Sequence, residues 1–327
     1  MTDRTRRDLV LAVMASAAIA PLVVMAQHGA GVRRIGLLSL GDPGVTDEER
    51  KQFWAPAREL GWIEGENLLV EPRYAREPAL LRPMADELVR LEVDAIVTSG
   101  TDAALAAKSA TATIPIIMYS AGDPVRAGLV ASLAHPGGNV TGFSNISPEL
   151  DVKRLELVRD LLPGVQRVGV LFNPTNPMSR ISREDYAQTF NLFRMQPIFV
   201  EVTKPADLET AVEEVTRQRA QALILPGDGL FREPIVRVAL RHRLPTIVAE
   251  RSMLEAGGLA LYDSGGIPGK HRRYLTILDK ILRGAKPADI PIEQPTTFEF
   301  LINLRTAQEL GLTIPNAVLL RADEVIR

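Results

Sequence analysis

The chain has 327 residues, of which 46% are hydrophobic and 24% are charged, so it can bury a core large enough for two domains. Its 38 basic residues are balanced by 40 acidic ones, and the formal net charge is −2. Without a basic surface to hold phosphate groups, nucleic acid is not an expected partner. The lack of cysteine excludes disulfides, thiolate chemistry and a lipid-anchored cysteine.

Residues 1–26 differ in composition from the rest of the chain. Arg6 and Arg7 precede an apolar run from Leu9 to Met25, and Ala26 provides the small residue that signal peptidase requires. This pattern is typical of a twin-arginine export signal. The alternative is a membrane anchor, but Pro21 interrupts a run that is shorter than the ~20 apolar residues of a membrane span. We predict cleavage after Ala26 and a periplasmic mature protein.

From Arg33 onward, short apolar runs alternate with helical patterns, which indicates βαβ units and parallel sheets. The first series has predicted strands at 33–40, 67–74, 94–99 and 115–119, with helices at 47–60, 78–91 and 101–111. A short strand at 140–144 leads to a helix at 148–162 and to further strands at 167–172, 197–203, 222–225, 245–249 and 258–262. An amphipathic helix follows at 270–283, and pattern alone does not assign it to either series.

Three strand patterns of the first series return in the second, in the same order and about 130 positions later. Segments 34–38, 94–100 and 114–117 correspond to segments 167–171, 221–227 and 244–247. Because all doubly wound domains contain such apolar runs, the alternative is coincidence. We favour duplication, which predicts two similar α/β lobes with a cleft between them.

In open parallel sheets, ligands bind beyond the carboxyl ends of the strands, where the following helices present free N–H groups. This rule selects small, polar and acidic residues as a candidate ligand-binding set: Ser39, Asp42, Ser99, Gly100, Thr101, Tyr119, Ser120, Asp123, Asn145, Asn173, Asn176, Asp228 and Tyr262.

Two parts of this set have an alternative interpretation. Ser99-Gly100-Thr101 can offer several donors to a carboxylate, but Thr101 can equally cap its own helix. Asp123 and Asp228 can each pair with an ammonium group, or they can stabilise turns beside proline and glycine.

The sequence contains no motif that predicts catalysis. Its four histidines lack metal-ligand spacing, and phosphate-loop, dinucleotide and Gly-x-Ser-x-Gly motifs are absent. We therefore predict a protein that is not an enzyme and that needs neither cofactor nor metal. Acid pairs that meet only across a cleft leave a hydrolase as an alternative.

Several segments carry a family resemblance, and the most specific runs from Pro136 to Gly142, Pro-Gly-Gly-Asn-Val-Thr-Gly. Supporting segments are 34–38, 59–68, 122–125, 173–177, 284–291 and 321–326. Together they resemble the ABC-transporter substrate-binding family that includes the streptococcal tryptophan-binding lipoprotein, a branch of the type I periplasmic binding proteins. The family commonly has a small residue after Asp-Pro-Val, where this chain has Arg126, so Arg126 lies either at the cleft mouth or in solvent.

The resemblance implies an α/β fold of two doubly wound parallel-sheet lobes joined by a three-stranded hinge. Lobe 1 would comprise residues 32–143 and 264–294, and lobe 2 would comprise residues 144–263 and 297–327. The family's ligand contacts map onto Ser99-Gly100-Thr101, Asp123, Asn173 and Asp228.

The implied function is that of a monomeric periplasmic solute-binding protein of an ABC importer. It would close on a small polar ligand, either amino-acid-like or an aromatic or other carboxylate, and deliver it to a membrane permease. The alternatives are a sensor subunit for a membrane kinase and a periplasmic hydrolase.

Overall fold

Two β-sheets organise the computed structural model, which describes residues 31–41, 53–145, 147–228, 230–264 and 269–327. The predicted export signal and Asp42 lie outside these residues. Within them, no helix combines the length and the apolar composition that a membrane span requires.

The first sheet has five parallel strands in the order β2-β1-β3-β4-β5. They are β1 (Arg33–Leu40), β2 (Leu68–Ala75), β3 (Ala95–Ser99), β4 (Ile116–Ser120) and β5 (Val140–Gly142). Its connections include helices α1 (Leu81–Arg90) and α2 (Thr101–Ala110), and the 3₁₀ turns Ala55–Leu60 and Pro78–Leu80.

The second sheet has seven strands in the order β12-β11-β10-β9-β8-β6-β7. They are β6 (Arg167–Phe172), β7 (Gln196–Glu201), β8 (Ala222–Ile224), β9 (Thr246–Val248), β10 (Ala260–Ser264), β11 (Phe298–Asn303) and β12 (Glu324–Ile326). Strand β11 pairs with β10 in antiparallel orientation, and the other neighbouring strands are parallel.

The remaining helices follow in chain order. They are α3 (Ser147–Leu161), α4 (Pro177–Phe193), α5 (Leu208–Arg217), α6 (Glu233–Arg241), α7 (Arg251–Glu255), α8 (Lys270–Leu282), α9 (Leu304–Leu310) and α10 (Asn316–Leu319), with 3₁₀ turns at Pro205–Asp207 and Pro287–Asp289.

The repeated Arg-x-Gly pattern has the same packing role in both sheets. A Cβ atom on Gly36 in β1 would lie 2.7 Å from the Leu88 side chain of α1, and one on Gly169 in β6 would lie 2.4 Å from the Val215 side chain of α5. Each glycine therefore lets a helix pack closely on the first strand of its sheet.

Two predicted elements differ from the structure. The described end of the predicted helix 47–60 is the 3₁₀ turn Ala55–Leu60, because Pro56 in its first turn cannot donate an α-helical hydrogen bond. The strand predicted at 258–262 is instead Ala260–Ser264, because its antiparallel partner β11 fixes the pairing through Ser264 opposite Phe298.

The chain passes between the sheets three times. It leaves β5 for α3, leaves β10 for α8, and leaves Glu293 for β11. Two of these crossings hydrogen-bond to each other, since Ser144 N donates to Glu293 O over 2.8 Å and Glu293 N donates to Gly142 O over 3.0 Å.

Helix α8 packs its Tyr274 and Leu278 into the cluster that contains Ile35 of β1. The structure confirms the predicted fold class, two parallel-sheet α/β lobes with three crossings, whereas the proposed residue limits of the lobes stay predictions.

Candidate functional site

A cavity of about 450 Å³ is lined by residues that follow the carboxyl ends of strands in both sheets. This volume is in the range of small-molecule binding sites. The first lobe contributes the last residues of β1, β3 and β4 and the residues that follow β3 and β4. The second contributes residues after β6, β8 and β9 and on helices α3 and α4.

Most of the predicted site residues line this cavity. They are Ser39, Ser99, Gly100, Thr101, Tyr119, Ser120, Asn145, Asn176 and Asp228. Their contact with a ligand stays a prediction, and Asp42 lies outside the described residues.

Asp123, Asn173 and Tyr262 do not line the cavity. The Asp123 carboxylate accepts hydrogen bonds from the N–H groups of Val125 and Arg126. It therefore stabilises a turn, which is one of the two roles that the sequence allowed. The ring of Tyr262 stacks on Phe298 instead of facing the cavity.

At the start of α2, Gly100 has a φ of 95°, which favours glycine. The Thr101 hydroxyl accepts a hydrogen bond from Gly122 N over 2.9 Å, so it ties α2 to the loop after β4 and does not cap its own helix. Asp102 folds back over the helix start, where its Oδ1 accepts a hydrogen bond from Ala103 N over 2.9 Å. The N-terminal end of α2 thus places the Asp102 carboxyl group at the cavity.

Asp102 was not predicted as a site residue, and its environment is unusual. Its Oδ2 atom is buried and has no hydrogen-bond partner among the described residues. Burial, together with the charge of Asp228, raises the pKa of Asp102 to about 7. Two carboxyl groups from opposite lobes therefore influence each other across the cavity.

Asp228 is held in place by donors of its own lobe. Its carboxylate accepts hydrogen bonds from Asn176 Nδ2 and from Leu230 N, both over 2.9 Å, and from Asn173 Nδ2 over 3.4 Å. Burial raises the pKa of Asp228, and these donors oppose the shift. Asn173 thus positions a cavity residue without lining the cavity itself.

Lys270, at the start of α8, brings a positive charge to the cavity. Its Nζ lies over the Tyr119 ring, 4.6 Å from the centroid, and no described group accepts a hydrogen bond from it. Burial lowers the pKa of Lys270, and nearby Asp263 opposes this shift. An anionic ligand group would supply the missing acceptor.

A buried ionic network borders the second-lobe side. Arg154 donates to Asp151 Oδ1 over 3.0 Å, to Asp263 Oδ1 over 3.3 Å and to the Tyr262 carbonyl over 2.9 Å. Tyr186 OH also donates to Asp151 Oδ1, over 2.8 Å. Burial raises the pKa of Asp263 to about 6, although Arg154 opposes the shift.

Sequence reasoning missed this network because Asp151 and Arg154 are an i,i+3 pair that is typical of an exposed helix face. The signal that could have revealed it is the position of both residues on the apolar stripe of α3, next to buried Leu155 and Val158.

Aromatic side chains line the same part of the cavity. Phe172 and Phe199 are in edge contact, and the Arg183 guanidinium lies 5.1 Å and 5.2 Å from their ring centroids. The site therefore combines acids, a lysine and an aromatic wall. Within the described part of the chain, no group of three His, Cys, Asp or Glu residues could hold a metal ion.

These features define a two-lobed ligand-binding protein. Residues 44–326 match the model of a protein family, "ABC transporter substrate binding protein". The chain belongs to this family, as the sequence resemblance predicted.

Two known proteins have the most informative similarity. A tyrosine-binding protein of Clostridioides difficile (strain R20291) is 30% identical over 89% of this chain and 86% of its own length. The ABC domain of Streptococcus pneumoniae in complex with L-Trp is 28% identical, covers 89% of this chain and all of its own, and superposes with a TM-score of 0.76.

A third comparison concerns the arrangement of the lobes. The ligand-free, open structure of a Clostridium difficile substrate binding protein with adhesive properties is 25% identical, covers 90% of this chain and 99% of its own, and has a TM-score of only 0.58. At similar identity, the chain thus superposes better on the L-Trp complex than on the open structure.

Proposed function

We propose that the protein is the periplasmic solute-binding component of an ABC importer and that it binds an α-amino acid between its lobes. The observation that carries this proposal is the charge pattern of the cavity, which offers acids from both lobes and a lysine to which no acceptor is hydrogen-bonded among the described residues. An α-amino acid carries the complementary ammonium and carboxylate groups.

The ammonium group would lie between Asp102 and Asp228, and the carboxylate would accept a hydrogen bond from Lys270. The Ser99 and Ser120 hydroxyls, which line the same cavity, can add hydrogen bonds. Closure of the lobes would complete these contacts and produce the form that the permease recognises. No residue in this scheme performs a covalent step.

The aromatic wall favours an aromatic side chain. Phe172 and Phe199 can pack against a ring, and the relatives that bind tyrosine and L-Trp support the same class. Export of the chain is supported by its twin-arginine segment and by the family.

The test is a binding screen of the mature chain, refolded from denaturant to remove carried-over ligand. We expect tyrosine, tryptophan or phenylalanine to raise the melting temperature, because a ligand at 100 times its Kd adds about 2.7 kcal/mol of stability. Mass spectrometry should recover the ligand unchanged, and a consumed ligand would instead indicate the hydrolase alternative.

A pair of lysine variants on one helix tests the binding mode. Lys270→Met should weaken amino-acid binding by at least about tenfold, the effect of losing one charge-assisted hydrogen bond. Lys280→Met on the exposed side of α8 is the control and should leave the affinity unchanged. A sugar or nucleoside as the sole saturable ligand would contradict the proposed class.

A further inference from the structure

Asp102 differs from Asp151, Asp263 and Glu250, which also line the cavity, because no described basic group forms an ion pair with it. Arg154 is paired with Asp151 and Asp263, and Arg232 donates to Glu250 over 3.0 Å. The hydrogen bonds that Asp102 accepts within the described residues come from the backbone at the start of α2, including the one from Ala103 N to Oδ1. Oδ2 is buried, and none of the described residues forms a hydrogen bond with it.

The carboxylate that influences Asp102 belongs to the other lobe. Asp102 is the second residue of α2 in the first sheet's lobe, whereas Asp228 follows β8 in the second. Both line one cavity. Lobe closure is therefore the movement that brings the two negative charges together and removes water from them.

Bringing like charges together in a cavity of low dielectric is unfavourable. Closure on an empty cavity, or on a ligand without a positive group, leaves this repulsion in place. Closure on an ammonium group instead gives the partnerless Asp102 Oδ2 a charged donor.

We propose that Asp102 is a specificity-determining residue that makes lobe closure conditional on a positively charged group in the ligand. The inference rests on the proposed amino-acid-binding function and adds a role for repulsion in the empty protein. A ligand shifts a conformational equilibrium only by its difference in affinity for the two states. Here the difference in affinity for the open and closed states comes from the cationic group of the ligand. Analogues of the same shape that lack the amino group do not provide it.

The variant Asp102→Asn isolates this effect. Asparagine has nearly the same shape, and its Oδ1 can still accept the hydrogen bond from Ala103 N, so we expect it to fold. Asp86→Asn is the matched control, because it removes one negative charge from α1 of the same lobe, where Asp86 forms an exposed pair with Arg82. Thermal melts of both variants establish that they are folded.

The first measurement concerns the ligand-free protein. Small-angle scattering at about pH 8 gives the radius of gyration of the refolded wild type and of both variants. Asp102→Asn should be more compact than the wild type, because one repelling charge is lost, and Asp86→Asn should match the wild type. A wild-type value for Asp102→Asn would overturn the proposal.

The second measurement compares two ligands by calorimetry, L-tyrosine and 3-(4-hydroxyphenyl)propionate, which lacks the amino group. The wild type should prefer L-tyrosine, and Asp102→Asn should reduce this preference by at least about tenfold, whereas Asp86→Asn should preserve it. An unchanged preference in Asp102→Asn would contradict the specificity role.

The two measurements separate this proposal from the proposed function. If neither L-tyrosine nor any other amino acid binds any variant, the proposed ligand class is wrong. In that case the scattering comparison still decides whether Asp102 opposes closure, because it requires no ligand.

Discussion

The pKa of Asp102 depends in part on a carboxylate of the opposite lobe, that of Asp228. Asp102 contacts its own helix through one oxygen, and this contact alone would favour the ionised form. Burial and the charge of Asp228 outweigh it, so the pKa of Asp102 rises to about 7. The ligand-free protein therefore carries a carboxyl group that titrates near neutral pH.

This shift predicts a pH dependence of stability in the ligand-free protein. Between the unfolded pKa of 3.8 and the folded pKa of about 7, the folded state holds a proton on Asp102 that the unfolded state has released. Stability should therefore fall as the pH rises from about 5 to 8. We expect the melting temperature of the wild type to fall across this range.

The variant Asp102→Asn should have a shallower slope, and it should melt at least about 2 °C above the wild type at pH 8. A residual slope is expected, because Asp263 has a pKa raised to about 6. If the melting temperatures of the two proteins changed equally with pH from about 5 to 8, Asp102 would not titrate in this range.

At the scale of elements, the Pro-Gly-Gly-Asn-Val-Thr-Gly segment forms β5 and leads into the first crossing. Gly142 has a φ of 122°, and a Cβ atom there would lie 2.2 Å from Met118 O in the neighbouring strand β4. The same segment contains Gly138, where a Cβ atom would meet no atom within 4 Å. The two glycines therefore differ sharply in how much the fold depends on them.

Gly142→Ala should destabilise the protein by at least about 3 kcal/mol, because the substitution combines an unfavourable φ with overlap of backbone atoms. Gly138→Ala is the control and should change the free energy of unfolding by no more than about 0.5 kcal/mol. Urea unfolding of both variants checks this, and equal midpoints would refute the structural interpretation.

At the scale of the whole molecule, Arg126 resolves the question that its sequence position raised. Its Nη1 lies 2.8 Å from Asp185 Oδ2, so the loop after β4 in the first lobe contacts α4 of the second. Nearby, a Cβ atom on Gly122 would lie 2.7 Å from the Met178 side chain of α4. This part of the interface is thus close-packed and includes one exposed ion pair.

Because exposed ion pairs contribute little, Arg126→Gln should weaken ligand binding by no more than about fivefold. The effect should be mainly a faster dissociation rate, since the pair joins the two lobes, and high salt should reduce it. Arg82→Gln, within the first lobe, is the control for loss of a surface arginine. Stopped-flow release that is equally fast in wild type and Arg126→Gln would exclude the interlobe role.

Local patterns in the chain are enough to predict the framework of this protein. The repeated apolar runs predicted two parallel-sheet lobes, and most of the candidates that were selected by the rule that ligands bind beyond strand ends line the cavity. The fold class is confirmed and the candidates can be placed because strand patterns and strand ends are local features of the chain, whereas ligand contact stays a prediction.

Which charged groups meet depends on the packing of elements that are distant in the chain. Asp102 faces Asp228, and Arg154 reaches Asp263, across separations of more than a hundred residues. Apart from its position on the apolar stripe of α3, nothing local distinguishes Arg154, buried in a network, from an exposed helical arginine such as Arg82. Apolar periodicity reports which face of an element is buried, but the pKa and the partner of a polar group depend on the elements packed against it.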